Sequence, residues 1–371
     1  MSVRSVTVNT WPSRYELLDG LRGLAALTVV LHHLGVHGDG HFAVMVFFVI
    51  SGYCITASAE SCRRNGLGFG QFMARRVRRI YPPYLLAIAF YAATRAVKTA
   101  SGGPNDLQRP ALDWIQNLTL TQWVSNLFHP ISWPSANPHL FVAAFWSLNY
   151  EEQFYLVIAV GLALAAARKV PMIVPVMLLA VVGLVWNWCV PGNWVCGLFI
   201  EYWPHFALGS CLYFSLCVYT GRSSRWAFVG AVLLLGLASA VRIFPWTSAT
   251  VWNLRSMVEL AFLSAVTLGL FLLRPMSLRI SRMRVWQPIA ALGTISYSLY
   301  LIHQFNLTLV ASISQRVLPA GLPRFATVVA MLALHIVLAM VFWFLCERPF
   351  LSRRPALPAA LSVNNAPAGA S

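Results

Sequence analysis

The stretch Tyr15-Glu-Leu-Leu-Asp19-Gly-Leu-Arg22-Gly-Leu-Ala-Ala-Leu-Thr-Val-Val-Leu-His32-His33 decides the fold. It is an apolar run long enough to cross a bilayer, yet it holds Arg22 and His33. An ionisable group in hydrocarbon costs roughly 2.5 to 17 kcal/mol, depending on how it is measured. A chain that carries two of them in one span has a use for them. Eleven residues at about 100° each return His33 to the angular position of Arg22, about 16 Å further along the axis. One helix face therefore presents a fixed cation at one depth and a proton-transfer group at another. Asp19 lies three residues before Arg22 and shares its face, so the two can pair. His32 points about 100° away from His33 and is the weaker base.

The rest of the chain agrees with a membrane reading. It has 371 residues, of which 58% are hydrophobic and only 10% charged, and a mean hydropathy of +0.66. A soluble domain has about 25% charged residues. Apolar runs recur at about 17–36, 41–59, 80–97, 142–166, 171–189, 198–219, 226–243, 255–273, 288–309 and 325–346. The expected fold is all-α, a polytopic membrane protein of about ten transmembrane helices. With the N-terminus inside, nineteen Lys and Arg fall on the inner side and seven on the outer, and Arg22 lies within the membrane. That asymmetry favours an N-in, C-in topology. The formal charge of +16 is then an inner-face anchor for membrane lipids. It is no sign of nucleic acid, because the basic residues sit in short segments between apolar runs. One transmembrane domain, 1–354, is expected, followed by a disordered tail, 355–371, of Ala, Pro, Ser and Asn. The polar N-terminus lacks a cleavage site, so the first apolar run is expected to stay as a helix.

The longest connection, about 98–141, holds Trp114, Trp123 and Trp133. It reads as an outer loop with a short interfacial or re-entrant helix. The seven cysteines are an odd number and form no C-x-x-C, so no metal or redox site is expected. Cys54, Cys211, Cys217 and Cys346 read as packing residues, while Cys189 and Cys196 flank a short outer loop where they could pair. No repeat, phosphate-binding loop or dinucleotide fingerprint occurs.

Polar groups cluster at four further places. After the second apolar run, Arg75, Arg76, Arg78 and Arg79 form two interleaved R-x-x-R pairs ahead of Pro82-Pro83. They read either as an inner-face anchor or as a grip on phosphate, to which guanidinium forks are suited. In this reading the prolines fix the chain as it enters the third span. In the fourth span, Trp146-Ser147-Leu-Asn-Tyr-Glu151-Glu152-Gln-Phe-Tyr155 puts two carboxylates a third to half of the way through the membrane. They need a cationic or aqueous interior, either in a structural ion pair with Arg22 or in substrate binding. In the ninth span, Ser296, Tyr300 and His303 make a polar stripe suited to a cavity wall or to interhelical hydrogen bonds. Glu347-Arg348-Pro349 reads as a helix stop with a local ion pair.

Together these segments resemble the acyltransferase-3 family of integral membrane acyltransferases. The likeness rests on Leu18-Asp-Gly-Leu-Arg22-Gly-Leu with Arg22-x10-His33, Phe47-Phe-Val-Ile-Ser51-Gly-Tyr53, Arg75-Arg-x-Arg-Arg-Ile-Tyr-Pro82, Trp146-Ser-Leu-x-x-Glu-Glu-Gln-Phe-Tyr155, Ser296-Tyr-x-x-Tyr300-Leu-x-His303 and Glu347-Arg-Pro349. The six fall in the family's order and span nearly the whole chain. The resemblance implies transfer of an acyl group, most often acetyl, from cytoplasmic acyl-CoA to a glycan or lipid-linked saccharide at the outer face. It also implies residence in the bacterial inner membrane. His32 stands where the family frequently has an aromatic such as Tyr.

The roles that follow are expectations. His33 is the general base or, as a variant, carries the acyl group. Arg22 and Glu151 complete the catalytic set. Arg75, Arg76, Arg78 and Arg79 hold acetyl-CoA. Glu152, Tyr300, His303, Ser147 and Trp146 bind substrate, and no metal takes part. The acceptor reads as an envelope or exported glycan, with a small molecule such as a macrolide as the alternative. A glycan or lipid flippase, or a scaffold in an envelope assembly machine, is the rival class.

Overall fold

The computed structural model describes residues 15–351 except 37, 130, 133–138, 169, 190–193, 196, 220, 244–250 and 320. The tail 355–371 and the pairing of Cys189 with Cys196 therefore lie outside the described residues.

The described chain is helical, apart from one two-residue antiparallel bridge, β1 (Ile131–Ser132) with β2 (Trp194–Val195), in the register Ile131↔Val195 and Ser132↔Trp194. α1 (Glu16–His33) and α2 (Gly40–Arg64) are joined by a short turn. The Asp39 carboxylate caps α2 by accepting from Phe42 N at 3.1 Å. α3 (Phe69–Ala100) follows, and then the long connection, which folds into α4 (Ala111–Thr119) and α5 (Gln122–Phe128). Next come α6 (Trp146–Arg168), α7 (Ile173–Cys189), α8 (Trp203–Tyr213), α9 (Arg222–Ile243) and α10 (Val251–Leu273). A short α11 (Ser277–Ser281) leads to α12 (Trp286–Ile302), α13 (Leu307–Val317) and α14 (Arg324–Phe342).

Among the described residues, three helical stretches are long and apolar enough to cross a membrane: Gly40–Arg64, Val258–Ser281 and Arg324–Phe350, with mean hydropathies of 2.0, 1.6 and 2.6. Ile173–Asn187 is a shorter apolar helix. α1 and α3 carry their charges inside the apolar run and are the less hydrophobic for it. Side chains such as Leu178 and Val181 on α7, Leu234 on α9 and Phe325 on α14 are exposed on the outside of the bundle. Such a surface is too apolar for a protein that faces water alone.

Two backbone-to-backbone contacts set the helix positions. A Cβ on Gly23 would lie 2.2 Å from the Ile289 carbonyl, and one on Gly293 would lie 1.8 Å from the Asp19 carbonyl, so α1 and α12 touch without side chains between them. Gly52 and Gly209 do the same for α2 and α8, at 2.0 Å from Phe206 O and 1.8 Å from Val49 O. Small residues allow this approach where helices gain little from hydrophobic burial.

The structure corrects the expected architecture in three places. The R-x-x-R run does not precede the third helix but lies inside it, in α3, and Pro82 and Pro83 are interior to the same 32-residue helix. They lack the N–H groups that would bond to the Arg78 and Arg79 carbonyls. The neighbouring Ile80 carbonyl accepts a hydrogen bond from Tyr297 OH at 3.0 Å. The ninth apolar run does not continue to 309: α12 ends at Ile302, and the turn His303–Asn306 leads to α13. Finally, α14 passes into a π-helical turn, Trp343–Glu347, that turns Glu347 inward.

α4 ends on Leu120, the one described residue other than glycine with a positive φ (56°). Its side chain is fully buried. A leucine in this conformation costs roughly 1–2 kcal/mol, which the surrounding contacts must offset.

A polar cleft between α1, α2, α3, α6 and α12

The first turns of α6 present two different faces. Ser147, Glu151 and Tyr155, spaced four apart, point into a cleft with about 820 Å³ of empty volume, open solvent included. The cleft also takes Arg22 from α1, Ser51 and Cys54 from α2, Arg76 and Arg79 from α3, Tyr297 and Tyr300 from α12, and Glu347 from the π turn. Three guanidinium groups thus share one low-dielectric space with two carboxylates.

Arg22 reaches Cys54 Sγ at 3.7 Å. Glu151 accepts from Ser51 Oγ at 3.0 Å and from Tyr155 OH at 2.5 Å. Arg76 donates to Ser58 Oγ at 2.7 Å. Ser147 Oγ lies 2.7 Å from Tyr300 OH, and the Tyr300 hydroxyl also bonds the Ala144 carbonyl. Glu347 is buried and accepts from Ser298 Oγ at 2.5 Å. It faces the cleft instead of forming the expected local pair, while Arg348 lies over the rings of Trp343 and Phe344. The Arg run divides: Arg76 and Arg79 line the cleft, Arg75 reaches Cys62 Sγ at 3.5 Å, and Arg78 is exposed.

His33 stands above the cleft, half-buried at the end of α1. It packs on the buried His303, ring centroids 5.1 Å apart. His303 is 5.7 Å from the Tyr300 ring, and its Nδ1 lies 2.8 Å from the Tyr300 carbonyl. A chain of groups therefore runs from Arg76 and Arg79, past Arg22 and Glu151, to Ser147 and Tyr300, and on to His303 and His33. The Glu151 carboxylate is bonded to Ser51 and Tyr155. Among the described residues, no group of three or more His, Cys, Asp or Glu side chains is placed to hold a metal ion.

Two expected substrate residues lie elsewhere. Trp146 is on the other face of α6, stacked on His41 with centroids 5.4 Å apart and planes 7° apart. His41 Nδ1 is 2.9 Å from Glu259 Oε1, and this second buried polar cluster escaped the sequence reading because its members come from three distant segments. Glu152 points to the side of the cleft and accepts from Tyr81 OH. Sequence reasoning also missed Ser51, Tyr155 and Glu347 as cleft residues. Tyr155 had a signal, its spacing of four from Glu151.

The fold and the cleft define a helical bundle with an apolar exterior around a guanidinium- and carboxylate-lined cavity, an imidazole pair beyond it. The acyltransferase domain profile of the acyltransferase-3 family matches residues 15–344, and the chain belongs to that family. It is 29% identical over 343 residues to the exopolysaccharide production protein ExoZ of Rhizobium meliloti, covering 87% of this chain and 92% of that one. It is 33% identical over 153 residues to the peptidoglycan O-acetyltransferase OatA of Listeria monocytogenes, covering 38% of this chain and 23% of that one. The O-acetyltransferase OatA of Staphylococcus aureus is similar at 31% over 148 residues, 38% of this chain and 23% of that one. The chain thus spans about a quarter of the length of the O-acetyltransferases it matches. No solved structure matches it.

Proposed function

We propose that this protein is a multi-pass enzyme of the bacterial inner membrane that moves an acyl group, acetyl by preference, from cytoplasmic acyl-CoA to a hydroxyl of an envelope or exported glycan. The observation that carries the reading is the polar path from the α3 arginines to His33, inside a bundle with an apolar exterior. The names of the relatives, two O-acetyltransferases and an exopolysaccharide production protein, support an acetyl group and a saccharide acceptor.

Arg75, Arg76, Arg78 and Arg79 hold the phosphates of the donor at the inner end, with Arg76 and Arg79 reaching furthest in. The pantetheine arm spans about 15 to 20 Å on an extended-chain estimate. Arg22 and His33 are separated by about 16 Å of helix rise, so an arm gripped near Arg76 brings its thioester to the level of Tyr300 and His303. His33 takes the proton of the acceptor hydroxyl as its oxygen attacks the thioester carbonyl. The new C–O bond forms, the C–S bond breaks, and the thiolate leaves with the proton returned from the imidazolium. Tyr300, held by Ser147, and His303 position the reacting groups. Glu151 and Glu347 limit the positive charge of the cleft, so the donor phosphates are attracted without being trapped.

The test is the His33→Ala variant in membranes given labelled acetyl-CoA and envelope polysaccharide. Transfer is expected to fall by at least about a hundredfold with the protein still in the membrane. Label on the polysaccharide at the wild-type rate would end the proposal; acceptor moved across the membrane without label would favour a flippase.

A further inference from the structure

The lining of the polar cleft runs from Phe47 to Ile55 on α2, from Ser147 to Tyr155 on α6 and from Gly293 to Tyr300 on α12. Each stretch is seven or eight residues long, about 10 to 12 Å of helix rise. Arg76 and Arg79 lie toward one end, and Phe47, Ser147 and Tyr300 form the other. There the lining stops at the Tyr300 ring. His303 packs behind that ring, with centroids 5.7 Å apart, and His33 packs on His303 at 5.1 Å.

Phe47 and Tyr300 close that end together. Their ring centroids are 6.1 Å apart with planes at 63°, the edge-to-face arrangement of a packed aromatic pair. Tyr300 is pinned by Ser147 Oγ at 2.7 Å and by the Ala144 carbonyl. Phe48, the next residue of α2, is pinned as well: it is buried and stacks on Phe206 with centroids 4.6 Å apart. Phe47 is only half-buried and borders the cleft. The closed end therefore has a polar wall, the hydroxyls of Ser147 and Tyr300, and an apolar wall, the ring of Phe47.

We infer that Phe47 sets the length of the acyl group that is transferred. The inference rests on the acyl-transfer reading, in which an arm held near Arg76 and Arg79 brings its thioester to this end. A thioester is polar at its carbonyl and apolar along its acyl chain. The carbonyl suits the hydroxyl wall, and the acyl methyl group then faces the ring of Phe47. Each further carbon lengthens an extended chain by about 1.3 Å. A butyryl group, two carbons longer than acetyl, runs into that ring. Turning the other way sets apolar carbons against two hydroxyls and strips them of polar contact, which is unfavourable. Tyr300, held by two hydrogen bonds, does not yield. Residue 47 is thus a specificity-determining position: a ring there admits acetyl and excludes longer chains, and a smaller side chain makes room for them.

The test compares labelled acetyl-CoA with labelled butyryl-CoA as donors to envelope polysaccharide, using the full chain in membranes. Phe47→Ala is expected to raise the ratio of kcat/KM for butyryl over acetyl by about tenfold, as two further methylenes buried in the vacated space imply. Phe42→Ala is the control. Phe42 is on the same helix but packs on Phe262, with ring centroids 4.8 Å apart, and its loss should leave the ratio unchanged. A ratio that does not rise in Phe47→Ala, loss of both donors included, would overturn the inference, and so would an equal rise in Phe42→Ala. If Phe47→Ala does not accumulate in the membrane, Phe47→Leu is judged by the same ratio with propionyl-CoA in place of butyryl-CoA. A wild-type protein that transfers acetyl from no acyl-CoA brings down the acyl-transfer reading and this inference with it. Wild-type acetyl transfer with an unmoved ratio brings down the inference alone.

Discussion

Glu151 depends on two hydroxyl donors, Ser51 and Tyr155, and it faces three arginines across the cleft. Glu151→Gln keeps an acceptor oxygen of the same size and removes one of the two carboxylates that offset Arg22, Arg76 and Arg79. The fold is expected to survive, and labelled-acetyl transfer to fall about a hundredfold. Glu151→Ala leaves both hydroxyls unpaired, at roughly 1–3 kcal/mol for each buried donor, so its melting temperature in detergent should fall as well. Equal melting temperatures for the two variants would show that the hydroxyl contacts contribute nothing. Glu347 is similar in kind. Its motif, Glu347-Arg348-Pro349, reads as a local pair, and only the π turn reveals that the carboxylate faces inward.

At the scale of elements, α1 and α12 form the axis on which the proposed site depends, since Arg22 and His33 come from one, Tyr300 from the other and His303 from the turn that directly follows it. Their contact at Gly23 and Gly293 has no side chain to give way. Gly293→Leu must push the Asp19 carbonyl aside, at a cost of about 3 kcal/mol or more, the upper part of the range for overpacking. Gly161→Leu, at a position with nothing within 4 Å of the added Cβ, is the matched control. Thermal denaturation in detergent should show a large loss for Gly293→Leu and little for Gly161→Leu; equal losses would refute close packing of the two helices. α3 shows the opposite use of sequence. Its prolines leave carbonyls of the arginine turn without their helical donors, and Tyr297 of α12 supplies a hydroxyl to the adjacent carbonyl of Ile80.

At the scale of the whole molecule, the proposed topology makes transfer directional. With the arginine end of the cleft at the cytoplasmic face, inside-out vesicles given external labelled acetyl-CoA should acylate enclosed acceptor, and right-side-out vesicles should not. Equal labelling from both sides would contradict the N-in arrangement. The outward-facing Leu178, Val181, Leu234 and Phe325 give the bundle the exterior that such a protein needs. The split α12–α13 segment and the turn at the end of α4 place irregular backbone against the interior, where a polar lining can satisfy it.

The one-dimensional pattern of residues was enough for the helical class and the family motifs, because helical periodicity and the cost of charge in hydrocarbon act locally; of Arg22 and His33, which it put along one face, Arg22 lines the cleft and His33 packs on His303 beyond it. It was enough, too, for the stripe from Ser296 to His303 and for the carboxylates of α6. Tertiary structure alone decided which of these groups meet. Glu151 could be placed on a helix face from its spacing, and Tyr155 beside it four residues on, but its partner Ser51, the turning of Trp146 toward His41, and the arrival of Leu120 beside Arg76 depend on contacts between segments far apart in the chain. Such contacts follow from the helix offsets and angles that glycine-to-backbone packing sets, and these involve the whole bundle at once.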